Sequence, residues 1–114
     1  METLSSELVL KALDGLTARS VATAQNIANA GSKAYRPLRV SFEQALATAA
    51  GQGVDAVRAV KPATQVDPLS AGGGELRVDL ELATASSTAL RYAALVEVLN
   101  RQLQLDAIAV TGNG

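Results

Sequence analysis

The chain contains 114 residues with a mass of 11.7 kDa, which is enough for one small domain. Ten basic against eleven acidic residues give a formal net charge of -1, so charge does not favour binding to nucleic acid. The lack of cysteine and histidine excludes thiol nucleophiles, disulfides, imidazole bases and the common zinc sites. We therefore expect no enzyme activity, and no catalytic, cofactor-binding or metal site.

The first predicted element is a long amphipathic helix over residues 3–30. Gly15 should weaken this helix by about 1 kcal/mol relative to alanine and create a soft point, and Gly31 is well placed to end it. The prediction rests on apolar and small residues that recur at alternating steps of four and three, as in a heptad pattern: Val9, Leu13, Leu16, Ser20, Thr23, Ile27 and Ala30.

The helical period is lost over residues 31–77, which contain all three prolines, so we predict a loop region there. One short helix is expected near 42–50, with Ser41 as its N-cap and Gln44 completing a capping box. The stretch 52–74 shows no convincing pattern, and its three consecutive glycines are expected to act as a hinge.

The strongest pattern in the chain predicts a C-terminal helix over residues 78–108. Asp79 is placed to cap its start, and Glu81 complements the helix dipole there. Leu80, Leu95 and Ile108 lie off the main row, so the helix has more apolar surface than one partner covers. The row itself spans about four coiled-coil heptads and consists of Val78, Leu82, Ala85, Ala89, Tyr92, Val96, Leu99 and Leu103.

These elements together predict an all-α fold in a single domain over residues 1–114. The two long helices, each roughly 40 Å in length, should form an antiparallel, coiled-coil-like pair joined by the loop-rich middle. A two-helix pair cannot bury the remaining apolar face, so another chain should cover it. Identical hairpins that associate through unlike faces form an open helix or tube when the rotation between copies does not close, and we expect such an assembly.

Specific motifs flank the loop region. Residues 25–30, Gln-Asn-Ile-Ala-Asn-Ala, followed by Tyr35-Arg36, resemble the N-terminal signature of flagellar rod and hook proteins, commonly Asn-Ile-Ala-Asn and then Thr-Pro-Gly-Tyr-Lys. The second part departs from that signature, because Ser-Lys-Ala stands at 32–34 in place of Thr-Pro-Gly. Residues 78–81, 89–95 and Leu99-Asn100 are similar to the C-terminal helix of the B-type, proximal rod subunits of the flagellar basal body.

This resemblance implies a non-enzymatic structural subunit of the proximal rod, in the periplasmic part of the basal body. Such a subunit leaves the cell interior through the flagellar type III export apparatus without a cleaved signal peptide. It polymerises through its terminal helices and transmits torque from the motor to the hook and filament. The implied interface and motif residues are Asn26, Ile27, Ala28, Asn29, Tyr35, Arg36, Val78, Leu82, Ala89, Leu90, Arg91, Tyr92, Leu95, Leu99 and Asn100.

The resemblance also implies partners: further copies of the chain, other rod proteins, a membrane-ring protein and the rod-to-export-gate adaptor. We expect no nucleic-acid binding, because the net charge does not favour it. We also expect no direct insertion into a membrane, because no stretch approaches the roughly 18 apolar residues of a membrane span. The N-terminal residues also lack the basic and apolar regions of a secretory signal. The alternative is a soluble helical adaptor or export chaperone of a secretion system, which would show the same amphipathic helices.

Several motif residues have two possible roles. Asn26 and Asn29 are expected either to bond a neighbouring subunit's backbone or simply to cap the end of the first helix. Tyr92 either presents its hydroxyl to a partner or lies in the core with its tip in water. Arg91 and Arg101 either pair with acidic residues of adjacent subunits or lie on a solvated face.

Overall fold

The computed structural model describes residues 3–68 and 76–112, and these form four helices and two short strands. The prediction of a mostly helical chain with long terminal helices is confirmed, whereas the purely α-helical class is corrected by a small sheet. In chain order the elements are α1 (Leu4–Ala28), β1 (Leu38–Ser41), α2 (Glu43–Ala50), α3 (Val54–Ala59), β2 (Ala63–Val66) and α4 (Val78–Gly112).

Helices α1 and α4 pack against each other in antiparallel directions. Near the start of α1, the Ser6 hydroxyl donates to Oε1 of Gln102 at 3.4 Å. Near its end, the Asn26 amide donates to Oε2 of Glu81 at 3.0 Å. Because α4 has 35 residues and α1 only 25, α4 continues beyond the first turn of α1. The molecule is accordingly elongated, with principal extents of 63 × 26 × 13 Å.

The heptad row that predicted α4 coincides only in part with the face that packs on α1. Leu82 and Leu103 of that row are each more than half exposed. The face against α1 instead includes Glu81 and Thr88, which are buried, with Gln102 half-buried. Each of these residues lies one position before a residue of the predicted row. The buried contacts of Glu81 fix the rotation of α4 about its own axis in this way. The more apolar row is therefore turned largely to the surface.

The hydrophobic core lies between α1 and the segment that the sequence predicted as loop. Its buried residues are Leu16, Ala22, Val40, Phe42, Leu46, Ala49 and Val57, and Leu95 of α4 packs against them. The stretch predicted to be patternless contains α3 and β2, which are too short to show a period in sequence. Strands β1 and β2 pair antiparallel, with Leu38 opposite Val66 and Ser41 opposite Ala63.

The short helix predicted near 42–50 is confirmed as α2, but its predicted cap is wrong. Ser41 belongs to β1, and the N-cap position is held by Phe42 without a side-chain capping bond. Helix α1 ends at Ala28 with Asn29 as C-cap, so Gly31 does not end it. The predicted glycine hinge at 72–74 lies outside the described residues.

Gly15 serves close packing and not flexibility. Helix α1 runs without interruption through this position, and Gly15 is buried. A Cβ atom added there would overlap the ring carbons of Phe42. The predicted soft point is thus the place where the Phe42 ring lies against the backbone of α1.

Candidate assembly surface

Asn26 stands at the centre of a buried polar junction between α1, β1 and α4. Its side chain is fully buried, and the amide nitrogen donates to Leu38 O at 3.0 Å and to Glu81 Oε2 at 3.0 Å. Its Oδ1 accepts from the Tyr35 hydroxyl at 2.6 Å and from Leu38 N at 2.8 Å. An amide side chain offers two donors and two acceptor positions, and all four are used here.

Arg39 balances the charge that this junction buries. The Glu81 carboxylate is only 2% exposed, and its Oε1 lies 2.7 Å from Nη1 of Arg39. The Nε of Arg39 lies 3.0 Å from Oδ2 of Asp67, just after β2. Burial, and then the negative charge of Glu81, raise the pKa of the Tyr35 hydroxyl. We call Asn26, Tyr35, Leu38, Arg39 and Glu81 the polar junction.

The two asparagines of the motif have different roles. Asn26 acts within its own chain, at the junction. Asn29 is exposed, and its Nδ2 donates back to Gln25 O at 2.8 Å, which is ordinary capping of a helix end. Sequence reasoning brought Asn26 and Tyr35 together only as parts of one motif, and it missed that Glu81 completes the arrangement. The sequence offered one signal for this role of Glu81, which is that a charged residue directly precedes Leu82 of the predicted heptad row.

A second polar contact ties α1 to the start of α2. Both terminal nitrogens of Arg19 reach the Glu43 carboxylate, at 2.7 and 2.8 Å, and Nη2 also donates to Val40 O. The guanidinium carbon lies 4.9 Å from the ring centroid of Phe42, in cation–π geometry. The hydrogen bonds from Arg19 lower the pKa of Glu43 to about 2.

Arg91, one of the predicted interface residues, reaches the same carboxylate from α4. Its Nη1 lies 4.0 Å from Glu43 Oε2, and its side chain remains largely exposed. An ion pair this long and this exposed contributes little to stability. Arg91 thus has an acidic neighbour within its own chain and still presents most of its side chain to solvent.

Helix α4 carries an extended apolar surface that α1 does not cover. Single exposed apolar residues are normal on a protein, but a helix that is apolar on several faces is normally covered by partners. Of the predicted interface residues in this helix, Leu95 and Leu99 are half-buried and the others are exposed. We call the following set the α4 apolar surface: Val78, Leu80, Leu82, Leu90, Tyr92, Val98, Leu103, Leu105, Ile108 and Val110.

A groove of about 400 Å³ opens between α1 and α4 near the middle of the pair. Half of its lining comes from each helix, and none of the lining side chains is charged. Tyr92 lies in this groove with its side chain part exposed. We call it the central groove, and its lining residues are Leu16, Thr17, Ser20, Val21, Thr88, Ala89, Tyr92 and Ala93.

Comparison with known proteins gives no relative from which a role can be taken. No protein-family model matches the chain, and a search of curated proteins finds no match either. In the part of the chain that the structure describes, no helix has the length and hydropathy of a membrane span. The features of the chain that indicate a role are therefore the motif residues and the exposed surface of α4.

Proposed function

We propose that this protein is a structural subunit of the proximal rod of the bacterial flagellar basal body. It polymerises through its terminal helices and helps to transmit torque from the motor to the hook and filament. The observation that supports this best is the α4 apolar surface, which runs from Val78 to Val110 on one long helix. A helix that is apolar on more than one face is normally buried by further partners.

The polar junction suits a subunit that bears load. It links α1, the segment after it and α4 through hydrogen bonds of the buried Asn26 side chain and an ion pair whose carboxylate is buried. Buried polar contacts of this kind specify one register, because any slip would leave their donors and acceptors unpaired. In the proposed role, the junction holds the two helices in fixed register while neighbouring subunits pull on them.

We propose for the chain the same partners and location that the resemblance of its sequence motifs implies. The chain contacts further copies of itself, other rod proteins, the membrane-ring protein and the rod-to-export-gate adaptor. It reaches the periplasmic space through the flagellar type III apparatus without a cleaved signal peptide.

A soluble adaptor or export chaperone is the second candidate, and one observation favours it. The core around Phe42 and Val57 and the polar junction are complete within a single chain. A chaperone folds stably as a monomer, whereas an axial subunit need not have such a core before assembly. The two roles differ in whether the protein remains in the finished structure.

Deletion of the gene, followed by electron microscopy of purified basal bodies, tests the proposal. We expect rings without a complete rod, rods restored by the wild-type gene, and the chain itself present in basal bodies from the restored strain. Normal rods in the deletion strain would refute the proposal. Loss of rods together with absence of the chain from restored basal bodies would favour the chaperone.

A further inference from the structure

The last residues of α4 have no part of α1 opposite them. Gln102 already contacts Ser6 in the first turns of α1, so residues 105–112 extend beyond the helix pair. We call these residues the α4 tip. Leu105 and Val110 are exposed there, and Ile108 is 63% exposed. Asp106 is the single charged residue of the tip, which is otherwise apolar or small.

The central groove matches this tip in polarity. Its walls are alanine, leucine, valine, threonine, serine and tyrosine, without a charge. Three other grooves on the described part of the chain each contain charged side chains, such as Arg91 beside Glu43, or Glu97 with Arg101. When a mostly uncharged helix end enters an uncharged groove, the free-energy cost of removing water from charged groups is smallest.

The dimensions also agree. A cavity of 150 Å³ accepts one benzene-sized group, so a groove of about 400 Å³ accommodates roughly two or three large aliphatic side chains. The tip presents Leu105 and Ile108 three residues apart on a helix, and therefore on one face. The same groove is too distant for the tip of its own chain, because α4 is one continuous helix.

We propose that the α4 tip of one copy binds in the central groove of the next copy. This inference rests on the proposed function, since it names which surfaces meet in the polymer. The groove lies at residues 88–93 of α4 and the tip is centred near 108, so successive copies are displaced by about 26 Å along the helix axis. With the copies parallel along this axis, the tip and the groove of each copy meet different neighbours, so the contact repeats as an open chain of copies.

Disulfide trapping tests this contact directly, because the chain has no native cysteine. The test variant is Val21→Cys with Ile108→Cys, which places one thiol in the groove and one on the tip. The matched control is Ala45→Cys with Ile108→Cys, because Ala45 is exposed on α2 and belongs neither to the groove nor to the α4 apolar surface. Both are oxidised at a protein concentration at which sedimentation shows association, and circular dichroism verifies their helix content.

We expect a ladder of dimers, trimers and larger species from the test variant, all lost on reduction, and at least tenfold less from the control. Dimers without higher species, equal ladders from both variants, or no association up to millimolar concentration would overturn the inference. As a second measurement, Ile108→Asp should weaken association at least tenfold, whereas Ala45→Asp should not. If both association experiments give the contradicting result while the deletion strain still lacks rods, this contact is rejected and the proposed function is retained.

Discussion

Replacement of Asn26 by alanine should remove a large part of the protein's stability. The change deletes four hydrogen bonds at a fully buried position. Arg39 still pairs with Glu81 and still donates to Leu38 O, so those acceptors keep a partner. The Leu38 N–H loses the acceptor that the junction provides, and the Tyr35 hydroxyl loses its partner as well.

The magnitude follows from the cost of an unpaired buried polar group, about 1–3 kcal/mol each. Both groups belong to half-buried residues, so we expect Asn26→Ala to lower the free energy of unfolding by about 2 kcal/mol. Asn29→Ala is the matched control from the same motif. It removes one exposed hydrogen bond and should cost about 0.5 kcal/mol or less.

Urea unfolding followed by far-UV circular dichroism measures both variants at low protein concentration, where association does not contribute. Asn26→Asp adds a sharper test, because it places a second carboxylate 3.0 Å from Glu81 Oε2. Its destabilisation should exceed that of Asn26→Ala, because two carboxylates at this distance repel each other and the new side chain has no N–H to donate. Equal losses for the Asn26 and Asn29 alanine variants would refute the reasoning about the polar junction.

Three further changes probe the rest of the structure. Gly15→Ala should lower stability by about 1–3 kcal/mol in urea unfolding despite its better helix propensity, because the new Cβ overlaps the Phe42 ring, and Phe42→Leu should restore part of the loss. Arg39→Met should cost about 1–2 kcal/mol, because it removes the half-exposed cation beside the buried Glu81 carboxylate, and adding Glu81→Gln should recover some of it; a fully additive double variant would contradict this. Glu43→Gln should cost less than about 1 kcal/mol at pH 7, because the side chain is half-exposed, and nothing near pH 2. The lowered pKa of Glu43, about 2 against an ordinary 4.5, means that its contribution is complete above pH 4.5 and is lost as the pH falls toward 2, so an equal difference at both pH values would contradict the assignment.

Periodicity predicted the long helices well because each is long enough to show its pattern. It did not predict which face of α4 meets α1, because Ala85, Tyr92 and Leu99 are common to both rows and hydrophobicity favours the row containing Leu82. The choice depends on Glu81, whose burial is possible only because Arg39 and Asn26 reach it from elements distant in sequence. Such contacts leave no local signal in one sequence.

The short elements between the long helices were not predicted from the sequence, for a different reason. Strands of four residues and a helix of six are below the length at which a period is visible. Gly15 illustrates the same limit, because propensity alone describes it as a weak point. The Phe42 ring fits against α1 only because Gly15 has no side chain, and Phe42 lies 27 residues away in the sequence. Of the candidate site, sequence predicted an uncovered apolar face on α4 but not the central groove.

Electron cryomicroscopy of basal bodies isolated from the organism that encodes this chain would show whether the chain is part of the rod. We expect proximal rod subunits built on the antiparallel α1–α4 pair, with the segment 38–66 packed on the side of α1 and the exposed residues of α4 buried between copies. A proximal rod whose density is fully occupied by other subunits, in basal bodies that lack this chain, would contradict this expectation.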